Sequence, residues 1–183
     1  MIGPEQQRIE VLGELDKAVH ALAGSLSPGM VSGTNIGYAI RGARDGTGVA
    51  AVTGGFTIEN GTVRPLGPCT FGADPSVTRI VLTAAKFDPA MRSAAIIPYS
   101  DAAAQVIQDM FLECCAIDRR TQPPGIETMD WGVASCCKDG VPEVIVDRGL
   151  TAGPGRIYLF GETPEDVAGN IIMLSNRITH TEL

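Results

Sequence analysis

The sequence predicts an α+β protein with a mixed or largely antiparallel sheet and three main helices. Three long segments carry apolar residues at three- and four-residue steps, which places those residues on one face of a helix. Short runs rich in Val, Ile and Thr lie between these segments, separated by Gly-rich turns. The 22 Gly and 12 Pro residues are scattered along the chain, so they indicate many tight turns rather than a flexible linker.

Composition excludes several classes of protein. With 183 residues, 44% hydrophobic and 19% charged, the chain is too apolar to be disordered, and we expect residues 1–183 to form one compact domain. A net charge of −7 argues against a nucleic-acid partner or an anionic membrane surface, because both need a basic face. No apolar run reaches the length of a membrane-spanning helix, and the N-terminus lacks the pattern of a secretory signal, so we expect a cytoplasmic protein.

The N-terminal half begins with a helix over residues 4–24, in which Pro4 suits the first helical position. Its apolar stripe consists of Leu12, Leu15, Val19 and Leu22. The pair Asn60-Gly61 predicts a hairpin, because both residues tolerate a positive φ. Strands are predicted at residues 35–40, 49–53, 56–59 and 62–65.

Two further elements complete this half. The run Arg79–Leu82, in which three apolar residues follow an arginine, predicts another strand. Asp88 is suited to cap a short helix that starts at Pro89, and Pro98 would end it.

The C-terminal half predicts a helix from Ser100 or Asp101 to about Asp118, then a loop over residues 119–125, where Pro-Pro-Gly cannot continue a helix. The last helix starts at Pro164, with Thr163 as its cap. Strands are predicted at residues 131–136, 143–147 and 156–160.

Short identities between the halves suggest an internal repeat, with units 1–98 and 99–183. Gly48-Val49-Ala50 corresponds to Gly132-Val133-Ala134, and Arg79-Ile80-x-Leu82 corresponds to Arg156-Ile157-x-Leu159. If the repeat is real, a cleft between the two units would be the default ligand site. The alternative is an ordinary α+β domain whose halves share only their turn chemistry.

Five cysteines include the adjacent pairs Cys114-Cys115 and Cys136-Cys137. In a reducing cytosol, free or metal-bound thiols are expected rather than disulfides. Adjacent residues point in different directions, which disfavours a four-thiolate metal site, so we assign no metal ligands. Buried inert thiols are the leading interpretation. If one thiol is reactive, Cys136 or Cys137 is preferred, because Lys138 can lower a neighbouring thiol pKa.

Candidate site residues are otherwise carboxylates and arginines, since neither histidine lies in a strand-rich region. Asp130 is the candidate reacting group, beside the single Trp131, which could contact a ligand but is more often a core residue. Arg148, in a turn after a predicted strand, and Arg156, at the start of the next, are candidate anion-binding residues. The Gly-rich stretch 151–156 leads into a strand, so it is not a phosphate loop.

Two function classes remain open. The first is a small-molecule-binding protein, possibly an enzyme, for a small polar or anionic metabolite. The second is a self-assembling or regulatory protein without catalytic chemistry. Low charge and high apolar content favour a homo-oligomer in either case. The sequence specifies no cofactor, substrate or reaction.

Overall fold

A computed structural model describes residues 2–149 and 155–181. Helices cover both faces of a central sheet, so that most strand residues are buried whichever way they point. Within the described residues the helices are α1 (Pro4–Ser25), α2 (Pro75–Phe87), α3 (Asp101–Asp109), α4 (Thr128–Cys136) and α5 (Pro164–Thr181). The strands are β1 (Asn35–Ala39), β2 (Val49–Val52), β3 (Phe56–Glu59), β4 (Thr62–Pro65), β5 (Cys69–Phe71), β6 (Ser93–Pro98), β7 (Cys114–Ala116), β8 (Val144–Asp147) and β9 (Arg156–Gly161).

The main sheet has seven strands over the described ranges, in the order β5-β2-β1-β6-β9-β8-β7. Every neighbouring pair in it is antiparallel except the parallel pair β7–β8. Helices α1, α3 and α5 pack on one face, and α2 and α4 pack on the other. The prediction of an α+β fold with a largely antiparallel sheet is therefore confirmed.

The hairpin β3–β4 forms a separate two-stranded sheet that packs against α1. Its turn residues Asn60 and Gly61 have φ values of 52° and 76°, as the hairpin prediction required. The buried side chains of Phe56 and Val63 join the core on the α1 side.

The prediction of three helices is wrong, because the described residues contain five. Arg79–Leu82, predicted as a strand, lies in α2. This helix starts at Pro75 because the Asp74 carboxylate accepts hydrogen bonds from the backbone N–H groups of Ser76 and Val77. The buried positions of α2 follow helical spacing: Val77, Ile80, Val81 and Ala84.

Residues 131–136, predicted as a strand, belong to α4, which packs against α2. Gly132 faces Ile117 so closely that a Cβ there would lie 2.4 Å from the Ile117 Cδ1 atom. A glycine at this point therefore lets the helix approach the segment that follows β7.

The predicted short helix from Pro89 is also wrong. Asp88 accepts a hydrogen bond from the backbone N–H of Ala90 and forms a turn instead of a cap. The chain then enters β6, whose small residues Ala94 and Ala95 are fully buried between helices on both faces.

The helix predicted to run to Asp118 ends at Asp109, and residues 114–116 form the edge strand β7 instead. Phe111 does not continue the helix, because its φ is 57°. Its side chain is 93% exposed, so it is not part of a buried helical face. The apolar character of Phe111 therefore did not indicate that the helix continues to Asp118.

The correspondences that suggested a repeat do not hold in the structure. Gly48-Val49-Ala50 enters strand β2, whereas Gly132-Val133-Ala134 lies in helix α4. Arg79–Leu82 is helical and Arg156–Leu159 is a strand. Matching letters therefore occupy different secondary structures, and the structure gives no support to units 1–98 and 99–183. Among the described residues, no helix is long and apolar enough to cross a membrane.

Candidate functional site

Polar and charged residues gather at one edge of the main sheet. Strands β1 and β9 begin at this edge, and β6 and β8 end there, because Asn35 pairs with Ile96, Pro98 with Arg156, and Asp147 with Arg156. We call this region the polar edge, and it consists of Asn35, Asp74, Tyr99, Ser100, Asp101, Arg119, Asp147, Arg148 and Arg156.

The centre of the polar edge is a buried ion pair. Asp147 at the end of β8 is 1% exposed, and its carboxylate accepts hydrogen bonds from Arg119 Nε at 2.9 Å and Nη2 at 2.6 Å. The backbone N–H of Gly149 donates a third, at 3.0 Å. Hydrogen bonding to Asp147 raises the pKa of Arg119 above its ordinary value. This pair fixes one guanidinium at the edge through two parallel hydrogen bonds.

Tyr158 lies beside this pair on β9. Burial raises the pKa of the Tyr158 phenol to about 12, and the negative charge of Asp147 adds to the effect. Tyr158 is therefore a neutral core side chain at physiological pH, and it is 2% exposed.

Arg156 stands opposite Asp147 on β9 and is half-buried. A Cβ on Gly33 would lie 2.9 Å from the Arg156 Nη1 atom, so the missing side chain at Gly33 leaves room for the guanidinium. At Gly155 a Cβ would lie 2.6 Å from the Asp147 carbonyl oxygen. Gly155 therefore lies against the backbone of Asp147 and Arg148, which places Arg148 and Arg156 close together.

Arg148 is exposed and lies close enough to Tyr99 for its positive charge to oppose the upward shift of the Tyr99 pKa. That pKa is raised mainly because the Tyr99 hydroxyl donates a hydrogen bond of 2.7 Å to Asp101. The backbone N–H of Tyr99 also donates to the carbonyl of Gly155. The end of β6 is thus tied to the segment that carries the two arginines.

The N-termini of α2 and α3 point to the same edge. Asn35, 3% exposed, donates from its amide to the Val52 carbonyl and to Asp74 Oδ2, at 2.8 and 2.9 Å. Because Asp74 caps α2, this bond ties that helix start to β1. At α3, the Ser100 hydroxyl accepts from the backbone N–H of Ala103. Helix N-termini carry partial positive charge, which favours a nearby anion.

The chemistry of the polar edge therefore suits an anion. Arg148 and Arg156 have no ion-pair partner within the described residues, and such guanidinium groups are typical of sites for phosphate or carboxylate groups. Arg119 is already paired with Asp147, and the Asp74 carboxylate already caps α2. Across the described ranges, no cluster of three or more His, Cys, Asp or Glu residues could hold a metal ion.

The structure divides the candidate residues of the sequence into two groups. Arg148 and Arg156 come together at the polar edge, whereas Asp130, Trp131 and Cys136 lie on α4 and Cys137 at its end. Asp130 pairs with Arg79 of α2, with 3.9 Å between its Oδ1 atom and Arg79 Nε. Trp131 is half-buried against the core between α2, α4 and the sheet. The Gly-rich stretch singled out in the sequence is described only from Gly155, because residues 150–154 lie outside the described ranges.

The expectation of free or metal-bound thiols is wrong for two cysteines. Cys136 is bonded to Cys115 in a disulfide, so it has no free thiol to act as the preferred reactive group. Cys137 is 1% exposed, and burial raises the pKa of its thiol. A buried thiol with a raised pKa fits the inert interpretation rather than the reactive one.

Asn35 and Arg119 were not among the residues predicted for the site. Arg119 falls in a segment predicted as a loop, and its partner Asp147 lies 28 residues away. Asn35 begins a strand and has no local motif that marks it. The sequence pointed to this place only through Arg148, in the turn after a predicted strand, and Arg156, at the start of the next strand.

One family model and one curated relative match most of this chain. The model of the family described as thiamine-phosphate synthase ThiN matches residues 15–173, a range that includes the whole polar edge. The bifunctional thiamine biosynthesis protein ThiDN of Methanocaldococcus jannaschii is 36% identical over 143 residues, which cover 76% of this chain and 34% of that protein. The chain thus spans about a third of the length of this relative.

Two solved structures resemble the whole fold. The C-terminal domain of protein MJ0236 is 27% identical with a TM-score of 0.87, and the match covers 100% of both chains. The C-terminal domain of a phosphomethylpyrimidine kinase is 29% identical with a TM-score of 0.82, and the match covers 91% of this chain and 99% of that one.

Proposed function

Because this chain belongs to the ThiN thiamine-phosphate synthase family, we propose that it is a thiamine biosynthesis enzyme that forms thiamine phosphate at the polar edge. The proposed product, thiamine phosphate, follows from the family description. The proposed location of the active site follows from the position of Arg119, Arg148 and Arg156 at one edge of the sheet. This gathering is the observation on which the location depends.

The structure of thiamine phosphate shows which bond the active site must form. Thiamine phosphate contains a pyrimidine ring, joined through a methylene carbon to the nitrogen of a thiazole that carries a phosphate ester. To form this carbon–nitrogen bond, the thiazole nitrogen donates its lone pair to the methylene carbon, and a leaving group departs with the electron pair of its own bond. A diphosphate on the pyrimidine methylene is a leaving group of the required kind.

This reaction needs positive charge more than it needs a base. The attacking nitrogen carries no proton, so no general base has to remove one. Negative charge accumulates on the departing diphosphate, and fixed guanidinium groups stabilise it in the transition state. The second substrate brings a phosphate of its own, which also requires hydrogen-bond donors.

The residues of the polar edge match these needs. Asp147 neutralises and orients Arg119, whereas Arg148 and Arg156 have no ion-pair partner within the described residues. We assign Arg148 and Arg156 to the phosphate groups of the substrates. Arg119 and Asp147 are positioning residues that hold the end of β8 beneath them.

The test is direct synthesis with purified protein. The pyrimidine diphosphate and the thiazole phosphate are incubated with the protein, and thiamine phosphate is measured by liquid chromatography and mass spectrometry. In Arg148→Gln and Arg156→Gln, kcat/KM should fall about 10- to 100-fold each, because each change removes charge-assisted hydrogen bonds. The matched control Lys138→Gln removes an exposed cation that precedes the start of β8, at the other end of this strand from Asp147, and should keep full activity.

Binding is measured separately, by calorimetry with thiamine phosphate. If the protein binds thiamine phosphate but makes none, the proposed synthase activity is wrong and a binding function without catalysis replaces it. If the protein makes thiamine phosphate and both arginine variants keep full activity, the assignment to the polar edge is wrong.

A further inference from the structure

A second group of cations lies at the opposite edge of the main sheet, where β1 ends and β6 begins. A cavity of about 390 Å³ opens there between the loop after β1 and the last turns of α2. Arg44, Lys86 and Arg92 line it together with the apolar side chains of Ile40, Leu82 and Pro89. We call this cavity the basic pocket.

The lining of the basic pocket carries cations and no acid, whereas Glu10 and Glu14 lie with Arg92 around a neighbouring cavity. No acidic residue is among those that line it, and within the described part of the chain none of its three cations forms an ion pair. The acids closest in sequence point into local turns: Asp45 accepts from the N–H of Thr47, and Asp88 from the N–H of Ala90. The pocket thus carries positive charge in a protein whose net charge is −7.

One wall of the pocket is held in place before any ligand arrives. Arg92 donates from Nε to the Ala39 carbonyl at 3.0 Å, and its guanidinium carbon lies 4.7 Å from the centroid of the Tyr38 ring. This hydrogen bond and this cation–π contact hold the guanidinium plane in place, which reduces the conformational entropy that Arg92 loses when it binds a ligand.

The facing loop is also fixed. The backbone N–H of Ile40 donates to the Gly48 carbonyl at 2.9 Å, so the loop closes at its base. Gly42 has a φ of +70°, a conformation that side chains disfavour and that turns the chain here. Arg92 and the loop backbone therefore form a fixed wall of the pocket, to which Arg44 and Lys86 add exposed cations.

We propose that the basic pocket binds a phosphorylated small molecule with a flat apolar body, an aryl or heteroaryl phosphate, at a site separate from the polar edge. The three cations suit a phosphate monoester dianion, and the Ile40, Leu82 and Pro89 side chains suit the ring. The concave apolar wall and the net negative charge disfavour a nucleic-acid strand, which needs a basic surface. Helix α2 has 13 residues, so its two ends, one at each site, lie about 20 Å apart.

The first experiment measures binding of phenyl phosphate by calorimetry and maps it by backbone amide chemical shifts. The largest shifts should fall on residues 39–44 and 86–92. Arg44→Gln and Lys86→Gln should each weaken binding about tenfold, since each removes one cation from the dianion. Both side chains are exposed, so the variants should fold normally. The matched control Lys138→Gln should bind as the wild type does.

Inorganic phosphate tests the ligand class. It should bind at least tenfold more weakly than phenyl phosphate, because it cannot bury a ring against the apolar wall. Equal affinity would overturn the aryl class, and shifts confined to the polar edge would overturn the second site. Loss of synthase activity in the arginine variants of the polar edge leaves this inference intact, because the basic pocket shares no residue with that site.

Discussion

The Cys115–Cys136 disulfide joins the edge strand β7 to the end of α4, and its removal should destabilise the protein by a predictable amount. The perturbation is the double variant Cys115→Ser/Cys136→Ser. Both residues are half-buried, so serine hydroxyls add little desolvation cost and the lost cross-link should dominate the result. Among the described residues, strand β7 pairs only with β8 in the main sheet. The position of β7 therefore depends strongly on the Cys115–Cys136 disulfide.

The magnitude follows from the length of the loop that the disulfide closes. The two cysteines are 21 positions apart, and chain-entropy loss in the unfolded state for such a loop corresponds to about 3 kcal/mol at 25 °C. For a chain of 183 residues, each kcal/mol lowers Tm by about 2–4 °C. The double variant should therefore melt about 6–12 °C below the wild type.

Thermal and guanidinium unfolding under non-reducing conditions measure this difference. Dithiothreitol should lower the stability of the wild type to that of the variant and should leave the variant unchanged. Cys114→Ser is the matched control, because Cys114 is an exposed free cysteine next to the disulfide, and its stability should equal that of the wild type.

Two results would refute the reasoning. One is a double variant whose free energy of unfolding lies within 1 kcal/mol of the wild type, well short of the roughly 3 kcal/mol expected. The other is alkylation of the unreduced, denatured wild type at all five cysteines rather than at the three free ones, Cys69, Cys114 and Cys137.

Three further predictions concern packing, charge and pH. In Gly37→Ala the new Cβ would lie 2.4 Å from a side-chain carbon of α2 and 3.0 Å from a carbonyl of β2, so urea unfolding should show a loss of about 1–3 kcal/mol. Gly13→Ala, exposed in α1 with no atom near its Cβ, should instead gain about 0.5–1 kcal/mol. Asp147→Ala should lose about 3–5 kcal/mol in the same assay because it leaves Arg119 unpaired, and adding Arg119→Met should recover part of that loss. Burial raises the pKa of Cys69 from 9.0 to about 12, so the folded state keeps a proton that the unfolded chain releases. Stability should therefore fall as pH rises through this interval, and Cys69→Ala should make the slope of unfolding free energy against pH shallower.

Elements with strong local signals were predictable. The start of α1 at Pro4, the Asn60-Gly61 turn and the start of α5 at Pro164 each depend on the conformational preferences of one or two residues. Such preferences do not require tertiary contacts, so they can be predicted from the sequence.

Buried elements without such signals were not predictable by the same means. The run Arg79–Leu82 is short and apolar, and a run of that length fits a buried strand as well as one turn of a buried helix. The decisive signal was the Asp74-Pro75 helix start five residues earlier. For residues 131–136, the contact of Gly132 with Ile117 is a tertiary fact that no local pattern contains.

The candidate site shows the same division. Arg148 and Arg156 were candidates because each adjoins a turn beside a strong strand pattern, and the structure places them at one edge. Their neighbours Asn35 and Arg119 come from distant segments, so their membership depends on strand order. Asp130 and Trp131 looked equally promising, and the structure places them on α4 instead.

By itself, the sequence determined the α+β class, the Asn60-Gly61 turn and the starts of α1 and α5, because these follow from hydrophobic periodicity and from local backbone preferences. Only the tertiary structure decided that Asn35, Asp147 and Arg156 share an edge, that Arg44, Lys86 and Arg92 surround a cavity, and that Cys115 reaches Cys136. The physical reason is that such groupings depend on the order and register of strands, which the buried contacts of the whole core select together.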